Sequence, residues 1–514
     1  MTALMSAGKG KARIFESSAF ELLAQMEQGV LTSEMLTEYY LTRIKVYDGV
    51  LNSFITVNPR ALEEARQLDV ERRAGRIRGP LHGLPIVLKD NYDTCDMPTT
   101  SGALAFKDLR PRRDAFTVKR LRDAGALILG KTNLTELARH GMSISSMGGQ
   151  TLNPYDLTRT PGGSSGGTGA AVAANFAVMG TGSDTMNSIR SPSSACSLVG
   201  IRPTKGLVSR SGICPCSDWQ DTGGPIARCV SDAALMLSVM AGYDPEDQST
   251  EIIKDRPAED YTKALKEGAF AGRTIAVITN NLGNCSEVLK VIEDAAREIE
   301  KLGARTIECD IPELDLSTLI KEHDVQEWEQ VPDLDRYLAK EGDAAPVKNT
   351  QEYFDTGLMT PSLVEDFRKK LLIRDPLHQP EYLARLEKNK QLREFVIGYM
   401  LKNKIDAFMY PLQQVLAVKT TEPKGQYGRN GHMASVTGLP AIDVPGGFSK
   451  PDATASLGVP VGIEFMAEPF SESKLIALAY SFEQATHHRR PPLAFQELDF
   501  CPLQKAKIVT KCEL

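Results

Sequence analysis

The run Pro161-Gly-Gly-Ser-Ser-Gly-Gly-Thr-Gly169 constrains the fold of this chain more than any other stretch. It is a glycine-rich loop that opens into Ala170 to Ala177, a small-residue segment that reads as a buried helix. Such a loop can aim several backbone N–H groups at one negatively charged atom. It lacks the Gly-Lys-[Ser/Thr] ending of a P-loop, so nucleotide binding is not expected. Gly162-Gly-Ser164-Ser-Gly166 also matches Gly-x-Ser-x-Gly by letter. A nucleophile elbow needs a hydrophobic strand directly before its serine. Here Asp156-Leu-Thr-Arg-Thr-Pro161 precedes it, which is loop chemistry. His487 and His488 stand beside Arg489 and Arg490 and read as a solvated helix end, not as a triad partner.

Around this loop, helical and strand patterns alternate. Residues 18 to 74 are mostly helical, with Ser33 as a cap, Ala61 to Ala74 rich in good helix formers and Gly75 as a stop. Leu84-Pro-Ile-Val-Leu88 is a short apolar run bounded by turn residues, which suits a buried strand. Lys89-Asp90-Asn91 sits at its end. Helices are expected at Thr117 to Ala124 and Asn133 to Arg139, with a strand at Ala126 to Leu129 between them. Residues 143 to 168 have loop composition. Further strands are expected at Thr274 to Ile278, Ala441 to Val444 and Val461 to Phe465, and helices at Val288 to Leu302 and Ser473 to Gln484. The stretch from about 315 to 405, poor in glycine, reads as a mostly helical wall on the substrate side.

This alternation predicts an α/β fold: a single large domain with a mixed β-sheet core covered by helices on both faces. No repeat or linker divides it. The domain is expected over 15–500, between a flexible lead-in at 1–14 and a tail at 501–514. A formal net charge of −6 argues against nucleic-acid binding. No run of 18 apolar residues occurs, so no transmembrane segment is expected. Nine cysteines, an odd number scattered over a long chain, suggest reduced thiols in a cytoplasmic protein. Cys214-Pro-Cys216 has no second pair or nearby histidine to complete a metal site.

Several blocks, in order, resemble the amidase signature family of hydrolases. They begin with Arg78-Gly-Pro-Leu-His-Gly-Leu-Pro-Ile-Val-Leu-Lys-Asp-Asn91, then Gly130-Lys-Thr-Asn133 and the Gly162 to Gly169 loop. Gly182-Ser-Asp-Thr-Met-Asn-Ser-Ile-Arg-Ser-Pro192 and Val199-Gly-Ile-Arg-Pro-Thr-Lys-Gly206 follow. The last are Thr437-Gly-Leu-Pro-Ala-Ile-Asp-Val-Pro445, Val459-Pro-Val-Gly462 and Glu483-Gln-Ala-Thr486. The resemblance spans nearly the whole chain. It implies the amidase signature fold and a cofactor-independent amidase that cleaves a carboxylic amide C–N bond through an acyl-enzyme. Esterase or carbamate side activity is compatible with that chemistry.

By the same resemblance, Lys89 is the base, Ser164 the relay held by an unusual cis peptide, and Ser188 the nucleophile. Burial behind the apolar run would favour the neutral amine that a base requires. Asp90 would oppose this if it faced the amine, and is expected to point elsewhere. The resemblance gives the oxyanion hole as the backbone N–H groups of Thr185, Met186, Asn187 and Ser188, with Ala138 lining the acyl site and Ser165 supporting the relay. Asp184 and Arg190 are expected to brace the turn. Two glycines usually precede the nucleophile, and here they are Met186 and Asn187. Either the backbone avoids positive φ there or Met186 is strained. The expected partner is a small-molecule amide substrate, with no metal and no nucleic acid, and a homodimer is left open. Two alternatives stand beside the hydrolase: an ammonia-liberating amidotransferase subunit, and a non-catalytic amidase-fold binding protein.

Overall fold

The structure is a computed structural model that describes residues 12–498. Most of the expected lead-in and all of the expected tail lie outside the described residues. Ile14, within the expected lead-in, is 4% exposed and belongs to the core.

The strands run in chain order as β1 (Phe54–Val57), β2 (Pro85–Lys89), β3 (Leu127–Thr132), β4 (Ile144–Ser145), β5 (Gly149–Gln150), β6 (Met179–Asp184) and β7 (Val199–Arg202). They continue as β8 (Thr222–Ala227), β9 (Thr274–Ile278), β10 (Arg305–Cys309), β11 (Ala407–Pro411), β12 (Ala441–Phe448) and β13 (Pro460–Met466). Strands β4 and β5 form a small hairpin. The other eleven make one sheet in the order β1-β3-β2-β6-β8-β7-β12-β13-β11-β9-β10. Parallel pairs (β2 with β3 and β6, β9 with β10 and β11) adjoin antiparallel ones, so the sheet is mixed.

Side chains alternate between the two faces of a strand. In β2, β3, β6, β7, β8, β11 and β13 every residue is buried, so helices and loops cover both faces there. This is the single α/β domain that the alternation predicts. The outermost strands, β1 and β10, are partly exposed. No helix among the described residues is long and apolar enough to cross a membrane.

Three local expectations change. Thr32, not Ser33, caps the helix Ser33–Leu51, its hydroxyl accepting from Met35 N at 3.1 Å. Asn133 to Arg139 is not a helix but a loop with one short turn, in which Leu137 and Ala138 have positive φ. Its side chains are committed to distant partners. Glu136 accepts from Ser146 N at 2.7 Å and also holds Tyr353 and Thr360. Such bonds override a modest helix propensity. The helix after the glycine loop starts four residues earlier than expected, at Gly166–Ala173.

The stretch from 315 to 405 is helical, in segments Leu316–Glu322, Gln326–Glu341, Thr350–Asp355, Pro361–Leu371 and Pro380–Asn403. Leu334, Tyr337, Tyr353, Leu363 and Phe367 form their own apolar cluster with Phe106 and Leu137. That cluster anchors these helices to the loops that follow β2 and β3.

Candidate active site

The apolar strand β2, third from one edge of the sheet, carries Lys89 into the interior, where it is 0% exposed. Its Nζ lies 2.7 Å from Ser164 Oγ, 2.8 Å from Ser183 Oγ and 3.3 Å from the Ser183 carbonyl. Burial disfavours an ammonium. It draws the Lys89 pKa down to about 7, against the opposing pull of Asp221 and Asp184. The adjacent Asp90 is also buried but turns elsewhere, accepting from Thr100 N at 3.0 Å and pairing with Lys131 at 3.1 Å.

Ser164 sits on the glycine loop, and the Gly163–Ser164 peptide is cis. The loop can lie this deep because its glycines have no side chains. Gly162 has φ +76°, and a Cβ there would stand 2.6 Å from the Ser191 carbonyl oxygen. A Cβ on Gly167 would stand 2.3 Å from the Asn133 carbonyl oxygen. Thr135 N donates to Ser164 O at 3.0 Å. Ser143 Oγ donates to Gly162 O at 2.7 Å and accepts from Gly166 N at 3.0 Å. Ser165 N donates to Ser188 O at 3.2 Å, which ties the loop to the Ser188 turn. Ser165 Oγ donates to Ser183 O at 3.4 Å.

Ser188 lies in the turn between β6 and the helix Arg190–Ala195, and is 4% exposed. Asp184 and Arg190 brace that turn. Arg190 grips Asp184 through Nε at 3.1 Å and Nη2 at 3.0 Å, while Ile189 N donates to Asp184 Oδ2 at 2.9 Å. Burial alone would raise the Asp184 carboxyl, but Arg190 and Arg202 hold it well below the usual carboxylate range. Arg190 Nη2 also donates to the Met186 carbonyl at 2.7 Å.

Met186 and Asn187 both avoid positive φ, which settles the choice raised by the missing glycines. Among the described residues, none of the N–H groups of Thr185, Met186, Asn187 and Ser188 donates to a protein acceptor. They remain available to a bound group. Thr185 Oγ1 donates to Asp221 Oδ1 at 2.5 Å. Ala138 is 6% exposed, with φ 57°, in the loop that also supplies Thr135.

Sequence reasoning missed several members of this network. Ser183 is the second hydroxyl on Lys89, and Asn91 Nδ2 donates to it at 3.0 Å. Arg202 Nη1 reaches Asp184 Oδ1 at 2.7 Å, and Glu464 meets Arg190 Nη1 at 2.5 Å. The one sequence signal for Ser183 and Asn91 is that both lie inside the ordered motif blocks.

The amidase family profile matches residues 35–476. The chain belongs to the amidase family. It is an enzyme that cleaves amide C–N bonds. A glutamyl-tRNA(Gln) amidotransferase subunit from Moorella thermoacetica is 35% identical to this amidase, over 93% of this chain and 99% of that one. The native peptide amidase from Stenotrophomonas maltophilia has 36% identity and a TM-score of 0.86, covering 93% and 98% of the two chains. An amidase family protein from Bacillus anthracis has 31% identity and a TM-score of 0.81, covering 93% and 92%. Among the described residues, no group of three or more His, Cys, Asp or Glu is placed to hold a metal ion.

Proposed function

We propose that this amidase hydrolyses a small carboxylic amide with Ser188 as nucleophile, Ser164 as proton relay and Lys89 as base. The observation that carries the reading is the fully buried Lys89 amine, 2.7 Å from Ser164 Oγ on a loop bonded to the Ser188 backbone. With a pKa near 7, the amine is neutral in a large fraction of molecules at neutral pH.

The cycle conserves protons. Neutral Lys89 accepts the Ser164 proton, and Ser164 takes the Ser188 proton. Ser188 Oγ forms a bond to the amide carbon, and the carbonyl oxygen becomes an oxyanion. The N–H groups of residues 185 to 188 stabilise that charge, and a donor of this kind is typically worth about 3–4 kcal/mol. The proton on Lys89 then returns through Ser164 to the leaving nitrogen as the C–N bond breaks. Water attacks the acyl-enzyme and gives up its proton along the same path to Lys89; the Ser188 ester bond breaks, the acid leaves, and that proton returns through Ser164 to Ser188 Oγ. Asp184 and Arg190 act by shaping the turn, Ala138 by lining the acyl site and Ser165 by supporting the relay.

Ser188→Ala tests this reading. Turnover of a small aryl amide is expected to fall below detection, and residual turnover at wild-type rate overturns the assignment. A second reading is favoured by the amidotransferase relatives, which align over nearly their whole length. In that reading the same triad liberates ammonia for a partner protein. Co-purification of a second polypeptide with this chain would distinguish it.

A further inference from the structure

Arg429 is a cation without a matching carboxylate beside the proposed nucleophile. It is half-buried, and its Nη1 reaches Asn187 Oδ1 at 3.4 Å. Asn187 directly precedes Ser188 and is 0% exposed, and its Nδ2 has no hydrogen-bond partner. The Arg429 guanidinium also packs on the loop that carries Ala138: a Cβ at Gly141 would stand 2.7 Å from Nη1. It therefore bridges the two segments that flank the site. No ion pair to Arg429 forms among the described residues.

Nearby carboxylates attract Arg429 but none pairs with it among the described residues. Arg139 and Lys370 share one carboxylate, Asp366, at 3.0 and 2.7 Å. Asp324 is engaged by Gln326 N at 3.0 Å. Burial pulls the Arg429 pKa down to about 10 and Arg139 adds to that pull, against the opposing attraction of Asp324 and Asp184. Burial and Arg139 likewise take His140 down to about 4. Arg429, Arg139 and Lys370 bring three cations to this corner against Asp366 and Asp324, and the Arg429 fork is the one left without an ion pair among the described residues. A guanidinium fork matches a carboxylate in two parallel hydrogen bonds.

We propose that Arg429 receives a carboxylate on the substrate, so that this enzyme acts on amides that carry a negative charge near the scissile carbonyl. The inference rests on the triad reading, because it takes Ser188 as the reacting atom. A purely structural arginine would affect stability but not discriminate between substrates by charge.

The test compares succinamate with butyramide, which differ by a carboxylate in place of a methyl. The wild-type enzyme is expected to show kcat/KM at least tenfold higher for succinamate, mainly through a lower KM. In Arg429→Gln that ratio is expected to fall close to one, and Arg429→Lys is expected to keep part of it. Arg429→Glu is expected to move the preference toward 4-aminobutyramide, which carries a positive charge. A wild-type ratio near one with butyramide turned over overturns this inference and leaves the triad standing, as does an Arg429→Gln ratio equal to wild type. Failure of the wild-type enzyme to hydrolyse either compound, with no acylation of Ser188, overturns both.

Discussion

Lys89 and Ser183 hold each other across two neighbouring parallel strands, with Nζ 2.8 Å from Oγ. Ser183 thus shares the buried amine with Ser164. Ser183→Ala removes one of its partners and leaves the Ser183 carbonyl in place. A hydrogen bond to a charged group is worth about 1.5–3 kcal/mol. The kcat on an aryl amide is expected to fall by about tenfold or more, at about 1.36 kcal/mol per decade, with KM little changed. An unaltered kcat would show that Ser183 plays no part in positioning the proposed base.

The pH profile follows from burial. As the proposed base, Lys89 must be neutral to accept a proton, and burial brings its pKa to about 7. The wild-type kcat/KM should therefore rise with pH through about 7 and level off above it. The hydroxyl of Ser183 accepts from the ammonium, so its removal destabilises the charged form and lowers the pKa further. The acid limb of Ser183→Ala should move to lower pH. A wild-type limb centred far from 7, or a Ser183→Ala limb shifted upward, contradicts this assignment of the base.

Arg190 should matter first for stability. It is fully buried and serves Asp184, Glu464 and the carbonyls of Met186 and Gly431. Arg190→Ala leaves the buried Glu464 without its cation and Asp184 with Arg202 alone. Breaking a buried pair in this way costs about 3–5 kcal/mol. That is a large part of the about 5–15 kcal/mol that holds a domain together. Arg190→Lys keeps the charge but loses the fork, and should lower the melting temperature less. Calorimetry on both variants checks the order, and a melting temperature unchanged in Arg190→Ala refutes it.

Met186 is half-buried beside the proposed nucleophile, in backbone that glycine is not needed to make. Met186→Gly keeps the N–H and removes the side chain. Its expected effect is on substrate size: KM for amides with bulky acyl groups should fall relative to small ones. Parallel measurements over an acyl series decide this, and a uniform change across the series would place the Met186 side chain outside the acyl pocket.

Much of the fold is legible in the sequence because local chemistry agrees with the final structure. The apolar run before Lys89 forms β2, the stretch from 315 to 405 forms helices, and His487 caps the helix Glu472–Thr486. Ordered motif blocks point to Lys89, Ser164 and Ser188 together. What stays hidden depends on pairing across sequence distance. Ser183 reads as an ordinary strand serine until β2 lies against β6. Glu464 reaches Arg190 across 274 residues, through β13 in the sheet. Asn133 to Arg139 looks helical in sequence because the partners of Glu136 lie as far off as Thr360. Arg429 gives no signal because an unpaired cation is recognisable only from what fails to surround it.

The central question is which serine attacks. The most direct measurement is treatment of the full-length enzyme with a fluorophosphonate, followed by peptide mapping by mass spectrometry. A single adduct on Ser188, absent in Lys89→Ala over the same interval, is the predicted result. An adduct on Ser164 or on any other serine, with Ser188 unmodified, would contradict it.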